Sequence, residues 1–415
     1  MNRLPNRPEF NPERPLIMHI DLNSCFATVE QQARPMLRGK PVGIANRRTD
    51  KTALVTASYE AKKMGVKVGM KVRDAKILCP DLIVIETDPS KYRYVYHRLL
   101  DIMKEYSAHV TMKSIDEGII DFHNTTAEMQ GRDLVEIGYE IKRRLKEEIG
   151  VWMRCNIGIA TNRFLAKQAA GLHKPDGLDV ITPENTREIF AGLKLTDLTG
   201  IAHRNEHRLN SVGIFTPLDF LDSDVVVLQR IVFKSVVGSW WHDRLRGWEV
   251  DDVETDVKRV GRQYVLESFN LTHTEVLQRL HHLCESVGSR MRLQNKSARG
   301  IYVYAKTLER GYWHSSTLLQ LPFSSDQTIY MLAHKLFNQA PDGLREIGIH
   351  CYELEPIEDQ QISLFNDQII QERHVTEAID GINKKYGERT IHSADTLGTG
   401  IYVKQKIPFG STRYL

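Results

Sequence analysis

The sequence predicts an α+β protein of several domains. Three observations carry this. β-type runs alternate with amphipathic helical segments over roughly the first 180 residues, a helical stretch follows from Thr182 to Trp248, and a second mixed region spans about Gln263 to Leu354. A chain of 415 residues exceeds what one hydrophobic core usually serves, so two to four domains of about 100–150 residues each are expected.

The elements follow in order. The leader MNRLPNRPEFNPERP is polar and proline-rich, without the apolar centre of a signal peptide. Leu16 to Ile20 is a strand-like run that stops at Asp21, and Asn23 or Ser24 can cap a helix through Phe26, Val29 and Glu30. A short region from about Gln32 to Asp88 holds the basic loop Asn46 to Lys51. Helical periodicity resumes from Tyr92 to Ser107, followed by an antiparallel pair, Val110–Lys113 and Gly118–Phe122. An amphipathic helix is expected over Leu134–Glu148 and a strand over Arg154–Ala160. Thr182-Pro183 and Thr216-Pro217 each read as a capping residue followed by proline in a first helical turn. A charged connector, Glu249 to Gly261, leads into the second mixed region, and Val375–Tyr386 reads as a helix ended by Gly387.

Composition excludes several classes. An apolar share of 41% and a charged share of 26% are those of an ordinary folded protein. The net charge of +3 identifies no partner. Cys25, Cys79, Cys155, Cys284 and Cys351 show no zinc-type spacing or disulfide framework, which fits a reduced cytoplasmic compartment. No run reaches the roughly 18 apolar residues of a membrane span.

One stretch raises a chemical question. Ser114-Ile115-Asp116-Glu117-Gly118-Ile119-Ile120-Asp121 sets two carboxylates side by side in a strand-like context. Composition alone gives roughly seven adjacent acidic pairs in such a chain, most of them solvated turns. The flanking isoleucines imply burial here, and buried like charges must hold a proton or meet a cation. Asp21, at the end of another strand, can supply a third carboxylate if the strands are neighbours. Three carboxylates on two strands suit a pair of Mg²⁺ ions used for phosphoryl or nucleotidyl transfer.

His19 to Glu30 (HIDLNSCFATVE), Ala57 to Lys62 (ASYEAK), Ser114 to Glu117, Asn156 to Ala160 (NIGIA) and Lys174 to Gly177 (KPDG) stand in the order and spacing of the Y-family, or translesion, DNA polymerases. From about Leu16 to Leu354 the chain resembles a bacterial member, similar to the polymerase IV and polymerase V catalytic-subunit branches. The resemblance implies a right-hand fold: a leader (1–15), a palm (16–31 and 89–178), small fingers (32–88), a helical thumb (179–248), a linker (249–262), an α+β little finger (263–355) and a tail with a clamp-binding peptide (356–415).

The same resemblance implies residue roles. Asp21, Asp116 and Glu117 are catalytic metal ligands, joined by the Leu22 carbonyl, for two Mg²⁺ ions that Mn²⁺ can replace. Phe26 is a steric gate under the deoxyribose. Cys25, Val55, Thr56, Tyr59, Lys62 and Lys174 contact the incoming nucleotide, with hydroxyls and lysines suited to phosphate oxygens. Val55 and Gly69 form a small roof over the nascent base pair. Lys62 stands where many relatives have arginine, and Asn23 and Cys25 where acidic and aromatic residues are common. A buried inert thiol is the expected state of Cys25.

Leu198-Thr199-Gly200-Ile201-Ala202 resembles a degenerate helix-hairpin-helix, whose backbone at Gly200 and Ala202 approaches a DNA phosphate. Residues 257–314 hold ten Lys or Arg against four acidic residues. Lys258, Arg259, Arg262, Arg290, Arg292, Lys296, Arg299 and Lys306 are therefore read as a DNA-backbone surface, with a merely solvated face as the alternative. Gln361-Ile362-Ser363-Leu364-Phe365 resembles a sliding-clamp peptide.

The expected partners are primer-template DNA, deoxynucleoside triphosphates and a sliding clamp. Accessory subunits are left open, no membrane is involved, and the chain is expected to be a cytoplasmic, nucleoid-associated monomer. The expected activity is error-prone, template-directed DNA synthesis. Two other readings share part of the pattern: an accessory DNA-damage protein that keeps the fold without catalysis, and a metal-dependent nuclease, which has no need of Phe26 or the triphosphate lysines.

Overall fold

The computed structural model describes residues 8–253, 256–357 and 367–403. These fall into two compact units, one up to Val253 and one from 256 to 403. Each is taken in turn.

The first unit begins with β1 (Ile17–Leu22), which runs on through Asp21, and α1 (Cys25–Ala33). Ser24 occupies the N-cap position with φ 46°, but its side chain makes no capping bond. Next come β2 (Val42–Ala45), β3 (Leu54–Ala57), α2 (Tyr59–Lys63), α3 (Val72–Leu78) and β4 (Ile83–Glu86). These strands form a small sheet in the order β3-β2-β4 around its own apolar cluster of Leu54, Val66, Val72 and Leu82. Then follow α4 (Pro89–Lys104), β5 (Val110–Met112), β6 (Glu117–Asp121), α5 (Ala127–Gly131), α6 (Leu134–Arg144), β7 (Cys155–Ala160), α7 (Arg163–Leu172) and β8 (Leu178–Val180). The helix expected to run to Glu148 leaves α geometry at Leu145 and finishes as a π-turn to Ile149.

The main sheet has five strands in the order β5-β6-β1-β7-β8, with β1 central. Alternation along β1 divides its two faces. Met18, Ile20 and Leu22 join the cluster with Tyr92, Leu99, Ile137 and Ile141 of α4 and α6. Ile17 joins a second cluster with Phe164, Leu165 and Ala169 of α7. Helix α7 lies close against β7 because Gly158 has no side chain: a Cβ there would meet the Ala166 carbonyl oxygen at 2.0 Å.

The rest of this unit is helical: α8 (Thr186–Ala191), α9 (His203–Asn210), α10 (Pro217–Asp222), α11 (Val225–Val227) and α12 (Val237–Leu245). At Thr216 the expected cap forms a full capping box with Asp219. At Thr182 it does not, since the helix starts at Thr186 with Asn185 before it.

The second unit contains β9 (Arg259–Val265), α13 (His273–Arg292), β10 (Lys296–Thr307), β11 (Tyr312–Phe323), α14 (Asp326–Phe337), β12 (Leu344–Pro356) and α15 (Asp367–Tyr386). Its antiparallel sheet has the order β11-β10-β12-β9. The connector expected to reach Gly261 is thus already strand from Arg259 onward. Residues 387–403 return to α13: Thr396 accompanies the Glu285 carboxylate, and Thr399 bonds His282 at 2.8 Å. Among the described residues no helix is long and apolar enough to cross a membrane.

Candidate active site

Pairing places the acidic residues in one row. Asp21 on β1 lies opposite Glu117 on β6 and Asn156 on β7. Asp116 comes one residue before β6, and its carbonyl accepts from the Leu22 amide at 2.8 Å. The turn that presents it is closed by the Lys113 and Ser114 amides, which both donate to the Glu117 carbonyl.

Helix α7 and the loop beyond it bring a matching column of cations to this face. Arg163 donates to Asp121 at 3.2 Å, and Lys167 one turn later donates to both oxygens of Glu117 at 2.9 and 2.8 Å. Lys174 donates to Asp21. Buried His19 places Nε2 3.4 Å from Glu117. Burial works to raise the Glu117 pKa, but His19 and Lys167 outweigh it and hold the group down to about 2. Asp116 is the opposite case: burial raises its pKa, Ser114 works against this by hydrogen bonding, and the Asp21 and Glu117 charges push it up further.

A cleft of about 250 Å³ opens beside this row. Asp21, Leu22 and Asp116 line it together with Cys25, Phe26, Val55, Thr56, Tyr59, Lys62 and Lys174. Each comes from a definable local structure. The chain reverses after β1 at Asn23-Ser24, which puts Cys25 and Phe26 in the first turn of α1. Val55 and Thr56 lie on β3. Ser58 caps α2 by accepting from the Ala61 amide, so Tyr59 and Lys62 follow three residues apart on one side. Lys62 donates to Ser24 at 2.8 Å and lies 4.8 Å from the Tyr59 ring centre. Its pKa is lowered by burial and then by Lys174. Val68 rather than Gly69 takes the lining position near Val55.

Two departures noted in the sequence acquire reasons. Asn23 is buried, donates to Asn156 at 2.9 Å and accepts from the Asp176 amide at 2.8 Å. The accepted bond ties the loop carrying Lys174 to the end of β1, and the bond donated to Asn156 is one that an acidic residue in its place could not make. The thiol of Cys25 is buried, and desolvation, then the Asp116 and Asp21 charges, push its pKa well above the ordinary value. Burial and neighbouring negative charge both work against the thiolate form that a reactive cysteine needs.

The three carboxylates do not form a ready cage. Glu117 turns to Lys167 and is not a lining residue, while Asp116 accepts from Ser114. Among the described residues no three His, Cys, Asp or Glu side chains converge as cation ligands. The donor chemistry nevertheless fits a hard divalent ion: Asp21, Asp116 and Glu117 offer only oxygen, and the mutual repulsion acting on Asp116 is what added positive charge relieves.

Comparison with known proteins decides the family. Residues 20–171 match the impB/mucB/samB family, and residues 258–364 match the C-terminal domain of that family. The chain belongs to this family, the Y-family DNA polymerases. It is 32% identical to "DNA polymerase IV" of Moorella thermoacetica over 93% of this chain and 97% of that one. It is 30% identical to "DNA polymerase IV 1" of Bacillus subtilis over 92% and 93%. Among solved structures, a Y-family polymerase chimera of Dbh and Dpo4 superposes with TM-score 0.68 at 23% identity, covering 81% of this chain and 98% of that one. The fold is therefore that of a Y-family polymerase, with a palm sheet and a C-terminal little finger.

Within that fold the expected DNA-contact residues separate. Gly200, with φ 97°, and Ala202, the N-cap of α9, stand at the expected hairpin. Lys258 and Arg259 are exposed. Lys306 pairs with Glu346 at 2.8 Å, and Arg299 lies 3.8 Å from Glu355. Lys296 opens β10, and Arg290 donates to the Gly261 carbonyl at 3.3 Å. Arg262 and Arg292 have partners within the unit. Arg262 projects to the helix side of the sheet, where it donates to Ser286 and, at 3.3 Å, to the Val403 carbonyl; burial lowers its pKa to about 10. Arg292 donates to Asp326 at 2.7 Å and Asp380 at 2.6 Å. Both arginines are hydrogen-bonded within the unit, which sets them apart from the exposed Lys258 and Arg259. The peptide Gln361, Ile362, Ser363, Leu364 and Phe365 lies outside the described residues. Sequence reading gave no role to His19, Lys167 or Asn156. The signal for Lys167 was its four-residue spacing from Arg163, which puts both cations on one face of α7.

Proposed function

We propose that this chain carries out template-directed, error-prone translesion DNA synthesis, adding deoxynucleotides to a primer 3′ end. The observation that carries the reading is the single cleft in which Asp21 and Asp116 face Phe26 and a set of phosphate-type donors, Thr56, Tyr59, Lys62 and Lys174. That combination suits a nucleoside triphosphate: a hard-metal carboxylate wall, an aromatic against the sugar and cations for the phosphates.

In this reading Asp21, Asp116, Glu117 and the Leu22 carbonyl would hold two Mg²⁺ ions, with Mn²⁺ a substitute. Such ions supply activation of the primer hydroxyl and neutralise charge on the triphosphate and pyrophosphate. Lys174 and Lys62 bind β- and γ-oxygens as compact cations, assisted by the Tyr59 and Thr56 hydroxyls. Phe26 excludes a 2′-hydroxyl by shape, and the small Val55 leaves room over the base pair. Lys167 and His19 hold Glu117 ionised. Gly200 and Ala202 offer backbone amides to a DNA phosphate, while Lys258 and Arg259 are the little-finger cations most open to the duplex.

The domain limits are those of the sequence reading, except that the linker ends at Lys258. Clamp tethering through 361–365 and residence in the cytoplasm complete the proposal. The rival, a polymerase fold without catalysis, draws on the lysine pairs at Asp21 and Glu117. Primer extension by the purified chain with Mg²⁺ and deoxynucleotides decides between them: growth that Asp116→Ala abolishes supports synthesis, no growth supports the rival, and shortening without nucleotides indicates a nuclease.

A further inference from the structure

Behind the cleft lies a buried polar group that the proposed chemistry does not use. Glu30, one turn after Phe26 on α1, is fully buried. A carboxylate in that position requires donors. Lys91 supplies two contacts, at 3.2 and 3.4 Å, the Tyr92 hydroxyl donates at 3.3 Å, and Arg34 lies 3.6 Å away. Lys91 and Tyr92 both belong to the first turn of α4, so Glu30 pins α4 to α1 beneath the cleft.

The consequence is geometric. The Tyr92 ring lies parallel to Phe26, with centroids 4.2 Å apart and planes 9° from parallel. Tyr92 is completely buried and does not line the cleft, whereas Phe26 does. The Phe26 ring therefore meets the cleft on one side and a seated aromatic on another. A wall excludes a substituent one oxygen atom in size only if it cannot yield by a few tenths of an ångström, and close packing is what prevents yielding.

We propose that Tyr92, seated by Glu30, is a positioning residue for sugar selection that holds Phe26 against the 2′ position of the incoming nucleotide. The inference rests on the gate role given to Phe26 above. Leucine at position 92 fills part of the space without a flat surface, so Phe26 gains freedom to recede. Tyr92→Phe keeps the stack and loses only the hydroxyl. Glu30→Gln keeps the shape and removes the charge that anchors Lys91.

The test is single-nucleotide insertion by the full chain on primer-template DNA, comparing kcat/KM for a ribonucleotide and its deoxynucleotide in each variant. Tyr92→Leu is expected to raise the ribo-to-deoxy ratio about three- to tenfold, in keeping with the strength of one aromatic pair. Tyr92→Phe, which keeps the stack but loses the hydroxyl bond to Glu30, and Glu30→Gln should each raise the ratio about twofold to threefold. Phe26→Ala combined with Tyr92→Leu should match Phe26→Ala alone, because the two residues act through one wall. A purely structural role lowers both efficiencies together and leaves the ratio flat. An unchanged ratio in Tyr92→Leu, while Phe26→Ala raises it, overturns the positioning role. If Phe26→Ala itself leaves the ratio unchanged, the gate assignment is what fails. Should Tyr92→Leu not fold, Glu30→Gln decides: a ratio at the wild-type value overturns the proposal.

Discussion

On the palm sheet, Asp121, Glu117 and Asp21 meet Arg163, Lys167 and Lys174, and the end of the row opens on a cleft. On the little-finger sheet, Arg262 turns under α13 and its guanidinium meets Ser286 and the Val403 carbonyl. Both regions place ionised side chains between a sheet and one long helix. In the palm Asp21 and Lys174 remain where a ligand can reach them, since both line the cleft. In the little finger the charges are consumed by the protein, because residues 387–403 and α15 bring Thr396, Thr399 and Asp380 to α13. The lesson is that charge count does not distinguish a binding surface from internal wiring; the presence of a covering segment does.

The sharpest way to break the contrast is to remove one charge from each side. Asp116→Ala should reduce primer extension about a thousandfold or more, consistent with several kcal/mol of lost transition-state stabilisation, while melting stays near wild type because a partly repelled carboxylate is removed. Arg292→Ala should do the reverse. Its guanidinium neutralises Asp326 and Asp380 in a buried setting, and breaking such a pair costs about 3–5 kcal/mol. Single-turnover insertion at saturating DNA should survive. Calorimetry with rapid-quench kinetics checks both, and an extension defect in Arg292→Ala without loss of stability would place that arginine at the DNA after all.

Acid should separate the two regions next. Burial, then the Arg389 and Arg262 charges, hold the pKa of His282 down to about 2, and burial also lowers that of His281, with Glu285 and Asp395 opposing. Unfolded histidine takes a proton near 6.5. The unfolded chain therefore binds protons below pH about 6.5 that the folded one refuses. The contribution is complete above that pH and is lost as pH falls, by up to about 1.4 kcal/mol per unit for one such group. Asp326, raised by burial to about 6, acts with the opposite sign but is a single group. In the palm, Glu117 at about 2 gives stability that starts to fall only below about pH 4.3. Hydrogen exchange in the full chain should show α13 losing protection between pH 6.5 and 5 while β1 keeps it, and His282→Asn should flatten the loss in α13. Equal loss in both regions would refute the assignment.

What the sequence made legible follows the same division. That Asp21 and Asp116 come together was readable because strand alternation and a strand-to-helix reversal are local patterns, whereas the role expected of Phe26 came only from the family resemblance, since on pattern alone it reads as a core aromatic of α1. The partners of Glu117 were not readable, since Lys167 lies 50 positions away and meets it only through the close packing that Gly158 permits. The partners of Arg262 were hidden for a related reason. In a strand its neighbours Gly261 and Gln263 point to the other face, and which face becomes covered depends on the return of Thr399 and Val403 from the far end of the chain. The tie of Asn23 to Asn156 and Asp176 was equally invisible, although it explains why an amide replaces an acid beside the cleft.

The smallest expected effect tests the surface that remains. Lys258 and Arg259 are exposed, and each phosphate contact contributes about 0.9 to the slope of log affinity against log salt. Replacing both by alanine should weaken primer-template binding several-fold at moderate salt and lower that slope by up to about two. Arg262→Ala, by contrast, should leave the slope unchanged while lowering stability, because its guanidinium is occupied by Ser286 and Val403. Fluorescence anisotropy across a salt series reads both quantities. A slope that falls for Arg262→Ala but not for the exposed pair would mean that DNA engages the helix side of the little finger, and that residues 387–403 must leave α13 for binding to occur.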